Sequence, residues 1–268
     1  MRIFARSGIR ASADEMPPQP FPVHSLVPVK TNAILTYLRI VRLKYRKEIK
    51  VGVKTMKVLM VNGSPNEKGC TNRALQEIAT ALSEEGIESE TFWIGSKPIA
   101  GCIGCNKCGG SGRCVFGGIV NDFSAAAEDA NGFIFGSPVY YAAATGAITS
   151  FLDRAFFSRK PDTFRLKPGA SIVSARRAGT TAAIDQLNKY FTVAEMPVIS
   201  SRYWNMVHGK SPEEVEKDVE GLYTMRVLGK NMAWFLKCKE AGERAGIRLP
   251  EQEDPDITNL IRYGGETH

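Results

Sequence analysis

The chain has 268 residues, a length that allows one or two domains and a core large enough to fold without covalent cross-links. Its composition, 43% hydrophobic and 24% charged, is typical of a globular protein and excludes a collagen-like, mucin-like or wholly disordered chain. No stretch approaches the roughly 20 consecutive apolar residues of a membrane span, so no transmembrane segment is expected.

The net charge of +7 belongs to the N-terminal segment. Residues 1–55 hold 11 of the 35 lysines and arginines but only 3 of the 28 acidic residues, and the rest of the chain is nearly neutral. The charge therefore gives no reason to expect a nucleic-acid partner for the main domain. The prolines and polar residues near the start predict that residues 1–55 are a disordered leader, or an overlong start before Met56.

Residues 31–50 are the part of this leader that has a helical pattern. Apolar residues lie near one stripe with basic residues around it, so a basic amphipathic helix with a membrane-surface or targeting role is one interpretation. A leader without such a role is the other. No long apolar region precedes a small-residue cleavage site, and a secretory signal peptide is not expected.

From Met56 onward, short apolar segments alternate with longer helical patterns. Strand and helix alternate five times, which is typical of a parallel sheet covered by helices on both faces. We therefore predict a doubly wound α/β domain with a five-stranded sheet over residues 56–249, followed by a polar tail over residues 250–268. The predicted strands are 57–62, 88–94, 131–136, 169–175 and 197–203, and the predicted helices are 71–86, 119–129, 145–158, 180–194 and 212–245.

Ligands bind such sheets at the carboxyl ends of the strands, so the loop after each strand is the place to look for function. The first loop, NGSPNEKGCTN, leads into a helix near Thr71 and places backbone amides at a helix N-terminus, which predicts a phosphate site. An ordinary capped turn is the plainer interpretation. The loop has neither a Gly-Lys-Ser/Thr ending nor a GxGxxG turn, so ATP hydrolysis and a Rossmann dehydrogenase lose support.

Two further loops carry aromatic and basic residues at the same predicted edge. The second, GSPVYYAAATG, places Tyr140 and Tyr141 after the third strand, where a flat ring could lie against them, although a buried aromatic pair is also common. The third, SARRAGT, places Arg176 and Arg177 after the fourth strand, where solvated surface arginines are the default interpretation.

These loops and the later segment GKNMAWFLK together resemble the NADPH-dependent FMN reductase family of flavodoxin-like proteins, over about residues 56–240. The resemblance implies a flavodoxin-like fold with FMN at the strand ends. By position, the FMN phosphate would be held by Ser64, Asn66, Thr71 and Asn72. The isoalloxazine would be flanked by Pro138, Val139, Tyr140 and Tyr141, and its other edge approached by Ala175, Arg176 and Gly179.

The resemblance has one departure and two further implications. Cys70 stands where the family often has Asn, and its place at a helix start predicts a lowered thiol pKa, unless it is only a small side chain that fits the loop. The resemblance also implies a homodimer or homotetramer and a cytoplasmic protein. Apart from the resemblance, an arginine of the third loop that lay beside a flavin would favour the reduced, anionic ring by its charge.

Four of the six cysteines lie in a glycine-rich insert, residues 100–118, with the spacing Cys102-x2-Cys105-x2-Cys108-x5-Cys114. Zinc usually takes paired CxxC units with a longer spacer, whereas a 4Fe-4S cluster suits three close cysteines and a fourth, with glycine amides donating to sulfur. The compact spacing favours the cluster, and zinc or metal-free thiols stay open. The motif is similar to that of the iron-sulfur flavoproteins, a branch of the same family. Disulfides are not expected without a secretory signal.

Two functions follow as hypotheses. The first is an FMN-dependent NAD(P)H oxidoreductase that passes electrons through FMN, and through the cluster, to a small acceptor or redox partner. No catalytic side chain is predicted, because hydride would arrive at the flavin N5. The alternative is an electron carrier that accepts electrons from ferredoxin and has no small-molecule substrate of its own. A flavin-free fold with a structural zinc is the remaining interpretation, and it predicts a colourless protein.

Overall fold

The structure is a computed structural model, and it describes residues 55–253. The leader before residue 55, with its pattern at 31–50, and the tail after residue 253 lie outside the described residues. Among the helices described, none has both the length and the apolar character needed to cross a membrane. In chain order the elements are β1 Lys57–Asn62, α1 Cys70–Glu84, β2 Glu88–Trp93, α2 Ile119–Glu128, β3 Gly132–Tyr140, β4 Ala143–Ala144, α3 Gly146–Ser158, a 3-10 turn Pro161–Thr163, β5 Gly169–Ala175, α4 Thr180–Val193, β6 Met206–His208, α5 Pro212–Val215 and α6 Val219–Arg244.

Five parallel strands form the sheet in the order β2-β1-β3-β5-β6. This is the 2-1-3-4-5 order of flavodoxin-like sheets, so the predicted fold class is confirmed. The two-residue strand β4 is an addition that the sequence pattern did not predict. It pairs antiparallel with the end of β3, with Val139 opposite Ala144 and Tyr140 opposite Ala143.

Two hydrophobic clusters cover the two faces of the sheet. Along β1, Val58 and Met60 belong to a cluster with α1 and α6, whereas Leu59 and Val61 belong to a phenylalanine-rich cluster with α2, α3 and α4. All four are at most 1% exposed. Side chains alternate between the faces of a strand, and a strand buried on both faces is therefore apolar throughout. This is why the strand appeared in the sequence as an uninterrupted apolar run.

The fifth parallel strand lies later in the chain than predicted. Within 197–203, the sheet contact is a single bridge between Val198 and Gly169, and the strand that pairs with β5 is Met206–His208. Pro197 has no N–H to donate to a ladder, and the chain then leaves the sheet as far as the exposed Trp204. The prediction of a strand over 197–203 was therefore wrong.

The last predicted helix, 212–245, is two helices. The short helix α5 ends at Val215, and α6 starts after Asp218, whose side chain accepts a hydrogen bond from Gly221 N at 2.9 Å. An aspartate at this position satisfies an amide that the first turn of a helix leaves free. The break allows the chain to turn beside the end of β6.

Candidate functional site

The first loop, residues 63–69, is held by the buried side chain of Asn62. Its Oδ1 accepts a hydrogen bond from Ser64 N at 3.1 Å, and its amide donates to a carbonyl further along the loop at 2.9 Å. Gly63 N donates to Gly136 O at 2.8 Å, which joins the ends of β1 and β3. A Cβ on Gly63 would lie 2.6 Å from Ile148 Cδ1, so only glycine fits this close approach.

Helix α1 begins directly behind this loop, and no side chain caps its N-terminus. Arg73 N, which donates to Gly69 O at 3.1 Å, is the first amide to close onto the helix, so the earlier amides of the first turn face outward. An anion there would meet aligned N–H groups and the positive end of the helix dipole. This geometry fits the phosphate site that the sequence predicted.

The four side chains predicted to hold the phosphate surround this helix start, and two of them are already engaged. Ser64 Oγ accepts a hydrogen bond from Asn66 N at 3.1 Å, and the hydroxyls of Thr71 and Ser174 pair at 2.8 Å. A hydroxyl that accepts a hydrogen bond still has its own proton to donate, so Ser64 retains a donor. Asn66 is exposed and Asn72 is half-buried, and both side chains reach the surface beside the loop.

The second loop is a tight hairpin turn formed by Tyr141 and Ala142. Their φ angles are +50° and +60°, a turn conformation that usually requires Asn and Gly. Residues other than glycine are strained in this region, and such strain is concentrated at functional sites. Tyr141 is fully exposed and Tyr140 is half exposed, so the two rings are not the buried core pair that was the plainer interpretation.

The third loop packs against this hairpin. Gly179 has a φ of +95°, and a Cβ on it would lie 2.6 Å from the Cα of Ala142. Pro138 and Val139 are half-buried beneath the turn, and Arg176 is exposed. The residues predicted to lie on the two sides of the isoalloxazine therefore come from two loops that touch each other.

A fourth loop, which follows β6, also belongs to this edge. Gly209 N donates to Ala175 O at 3.0 Å, and the thiol of Cys70 donates to Gly209 O at 3.5 Å. Burial raises the pKa of the Cys70 thiol, so the lowering expected from the helix dipole is outweighed. Cys70 thus connects the first loop to the fourth as a packed side chain.

His208 and Asp218 also belong to this edge. The sequence left His208 open between a place beside the flavin site and no role, and it did not single out Asp218. His208 N donates to Asp218 Oδ2 at 2.7 Å, and His208 Nε2 lies 3.2 Å from the carbonyl oxygen of Arg177. Asp218 therefore caps α6 and holds the end of β6 at the same time. An Asp three residues before a glycine in a helical pattern was the available signal, but a β6 of three residues was too short to predict.

The four cysteines of the insert line one cavity with the last turn of α3. Cys102 is exposed, and the other three are partly buried. Cys108 Sγ lies 3.8 Å from Phe157 O, and Arg154 Nε donates to Cys114 Sγ at 3.3 Å. Within residues 55–253, no three His, Cys, Asp or Glu side chains are grouped closely enough to hold a single metal ion. A 4Fe-4S cluster is larger and is held by four cysteine thiolates, so the donor set around this cavity fits it.

Cys114 forms hydrogen bonds with the domain through its backbone as well as its thiol. Its N–H donates to Asn121 Oδ1 at 2.7 Å, and Asn121 Nδ2 donates to its carbonyl at 3.0 Å. Gly112 N donates to Ser158 O at 2.8 Å, which ties the insert to the end of α3. The insert therefore has fixed attachment points on α2 and α3.

Comparison with known proteins agrees with the predicted family. Residues 56–211 match the family described as NADPH-dependent FMN reductase. An iron-sulfur flavoprotein of Methanocaldococcus jannaschii is 32% identical over 189 residues, which cover 68% of this chain and 98% of that protein. An iron-sulfur flavoprotein of Methanosarcina thermophila is 22% identical over 185 residues, with coverages of 68% and 96%.

A solved structure shares the fold at low sequence identity. RosB, with bound 8-demethyl-8-formylriboflavin-5'-phosphate, aligns with a TM-score of 0.56 and 13% identity, over 78% of this chain and 95% of that one. The strand order, the matched family and the coverage of the relatives agree. The chain belongs to the NADPH-dependent FMN reductase family.

Proposed function

We propose that the protein is an FMN-dependent NAD(P)H oxidoreductase that passes electrons from nicotinamide, via FMN and a 4Fe-4S cluster, to a small acceptor or redox partner. The observation that carries this proposal is the connected edge formed by the loops after β1, β3, β5 and β6. Hydrogen bonds and close contacts join these loops around the free amides of α1 and the strained aromatic hairpin.

Each part of this edge has a role in holding the cofactor. The first-turn amides of α1, the Ser64 hydroxyl and the side chains of Asn66 and Asn72 would hold the phosphate, while Thr71 supports the helix start from within. Tyr140 and Tyr141 would lie against the ring. Bound FMN would supply hydride acceptance and one-electron transfer, chemistry that no side chain provides.

The cysteine cavity is the proposed site of the 4Fe-4S cluster, with Cys102, Cys105, Cys108 and Cys114 as its ligands. Four thiols around one cavity and a buried arginine beside one of them support this assignment. Zinc or unligated thiols are the competing occupants, and they differ in iron, sulfide and zinc content.

The rim of the cysteine cavity supports a second candidate, an electron carrier that receives electrons from ferredoxin. Ile103, Val115 and Phe116 are 69%, 52% and 59% exposed around the cavity. The sequence has no acidic residue between 91 and 118, whereas Lys97, Lys107 and Arg113 lie within that range. An apolar rim within a segment whose charges are all basic fits an acidic electron-transfer protein.

The remaining parts of the proposal concern organisation. We expect an FMN-binding domain over residues 56–249 with the insert at 100–118, preceded by the leader and followed by the tail at 250–268. The full exposure of Tyr141 supports a homodimer or homotetramer in which another subunit covers the flavin surface. A cytoplasmic location is the expectation that goes with an oxygen-sensitive cluster.

The test is an anaerobic absorption spectrum of the full chain, with flavin, iron, acid-labile sulfide and zinc measured on the same sample. Flavin with about four irons per chain supports the proposal. Flavin without iron would indicate an FMN reductase that has no cluster. If the protein holds no flavin even after FMN is added, the proposed function is refuted. Steady-state oxidation of NADPH and NADH then separates the two candidates, since a pure carrier would show almost none.

A further inference from the structure

Arg154 is a buried cation next to the cysteine cavity. It lies on α3 and is 7% exposed, with Nε 3.3 Å from Cys114 Sγ and Nη2 2.9 Å from Gly117 O. Its guanidinium carbon lies 5.8 Å from the centre of the Phe116 ring. In the part of the chain from 55 to 253, no carboxylate forms an ion pair with it.

A buried charge of this kind needs an anionic partner, because its removal from water costs free energy that a carbonyl or a ring offsets only in part. The negative end of the α3 dipole offsets some of this cost. The neighbour of Arg154 that can carry a full negative charge is the sulfur of Cys114. Arg154 is therefore placed to face an anionic group within the cavity.

Ser158 provides an independent observation on the same cavity. It is 1% exposed, and its Oγ is the one buried side-chain polar atom without a hydrogen-bond partner among the described residues. Ser158 follows Arg154 by four residues, so both side chains lie on one face of α3, and both line the cavity. An orphaned buried hydroxyl in a native protein points to an acceptor that is present in the functional state.

We propose that Arg154 is a positioning residue and charge partner for the 4Fe-4S cluster, and that Ser158 donates a hydrogen bond to one of its sulfurs. This inference rests on the proposed function. Net charge and hydrogen bonds to sulfur are among the factors that set the reduction potential of such a cluster. A fixed positive charge beside the site stabilises an added electron, so Arg154 raises the potential.

The experiment compares variants of the full chain that are reconstituted anaerobically with iron and sulfide. Arg154→Gln removes the charge but keeps an N–H donor, Arg154→Lys keeps the charge, and Ser158→Ala removes the orphaned hydroxyl. Arg113→Gln is the matched control, because it removes a charge from an exposed side chain next to Cys114. Iron content is measured first, and the reduction potential is then measured by dye-mediated dithionite titration followed by electron paramagnetic resonance.

For Arg154→Gln, we expect the ratio of reduced to oxidised cluster, measured at one fixed solution potential, to fall by about tenfold, because a charge a few ångströms away is only weakly screened. Arg154→Lys and Arg113→Gln should stay within about threefold of the unmodified protein, since the charge is kept in one and water-screened in the other. Ser158→Ala should shift the ratio the same way but less, without destabilising the cluster-free protein, because its hydroxyl has no bond to lose there.

An unchanged potential in Arg154→Gln, or an equal shift in Arg154→Lys, would overturn the proposal. If Arg154→Gln holds no iron, recovery of iron in Arg154→Lys supports the role of the charge, and failure to recover it assigns Arg154 a purely structural role. Absence of iron from the unmodified protein after reconstitution would instead refute the cluster in the proposed function, whatever the variants do.

Discussion

Replacement of Ala142 by glycine should stabilise the cofactor-free protein, whereas the same replacement of its neighbour Ala143 should destabilise it. Ala142 has a φ of +60° in the hairpin turn, a conformation that costs an L-residue about 1–2 kcal/mol. Glycine removes this strain but gives the unfolded chain more freedom, which costs about 0.5–1 kcal/mol. Ala142 is exposed, so little buried surface is lost, and a net gain of about 0.5 kcal/mol is expected.

Ala143 is the matched control because it lies in β4, opposite Tyr140, without a positive φ. Its replacement by glycine gains no relief of strain and should cost about 0.5–1 kcal/mol, so the two variants should differ by about 1–1.5 kcal/mol. Urea unfolding of the cofactor-free chain, analysed by linear extrapolation, measures this difference. Equal destabilisation by both variants would show that the turn is not strained. If the strain holds Tyr141 in place for the flavin, Ala142→Gly should also weaken FMN binding.

Three other results are expected. Thr145→Val removes the hydroxyl that caps α3 and donates to the first loop at 3.1 Å, and it should lower the free energy of unfolding by about 1–2 kcal/mol. Thr149→Val is the control: it loses only hydrogen bonds to the start of its own helix, so its effect in the same urea titration should be clearly smaller. Burial opposes ionisation of Glu77, but hydrogen bonds from two arginines outweigh it and lower the pKa of Glu77 in the folded protein. Its contribution to stability is therefore present above about pH 4.5 and is lost as the pH falls through the lower folded-state pKa. Glu77→Gln should reduce this loss of stability in unfolding measurements from pH 3 to 7, and an equal loss in the variant and the unmodified protein would contradict the reasoning. In cluster-free protein, iodoacetamide should modify the exposed Cys102 well before Cys70, because burial raises the pKa of the Cys70 thiol. Peptide mass spectrometry measures the two labelling rates, and faster labelling of Cys70 would show that its pKa is not raised.

Strands β1, β3 and β5 start within one residue of their predicted positions, and each has a mainly apolar run because helices cover both faces of the sheet. Strand β2 was also predicted to within one residue although none of its residues is buried, because Thr91, Phe92 and Trp93 are residues that favour a strand. Strand β6 has three residues, and its place depends on contacts with β5 that local sequence does not encode. The turn at Tyr141 and Ala142 was also not predictable, because neither residue favours a positive φ and the packing of Gly179 against Ala142 is a long-range contact.

At the cysteine site, the sequence predicted the four thiols but not the residues of α3 that contact them. The spacing of the cysteines identified the thiols, whereas their neighbours on α3 lie some 40 residues later in the chain. In the sequence, Asp153 and Arg154 are two adjacent charged residues, and nothing in their residue types tells which one is buried. The structure exposes Asp153 and buries Arg154. Helical spacing could have told the two apart, because Arg154 follows Phe151 by three residues and precedes Ser158 by four, which places it on the buried face of α3. A charge on such a face needs a partner elsewhere in the fold, and the cysteine insert is the segment that supplies it.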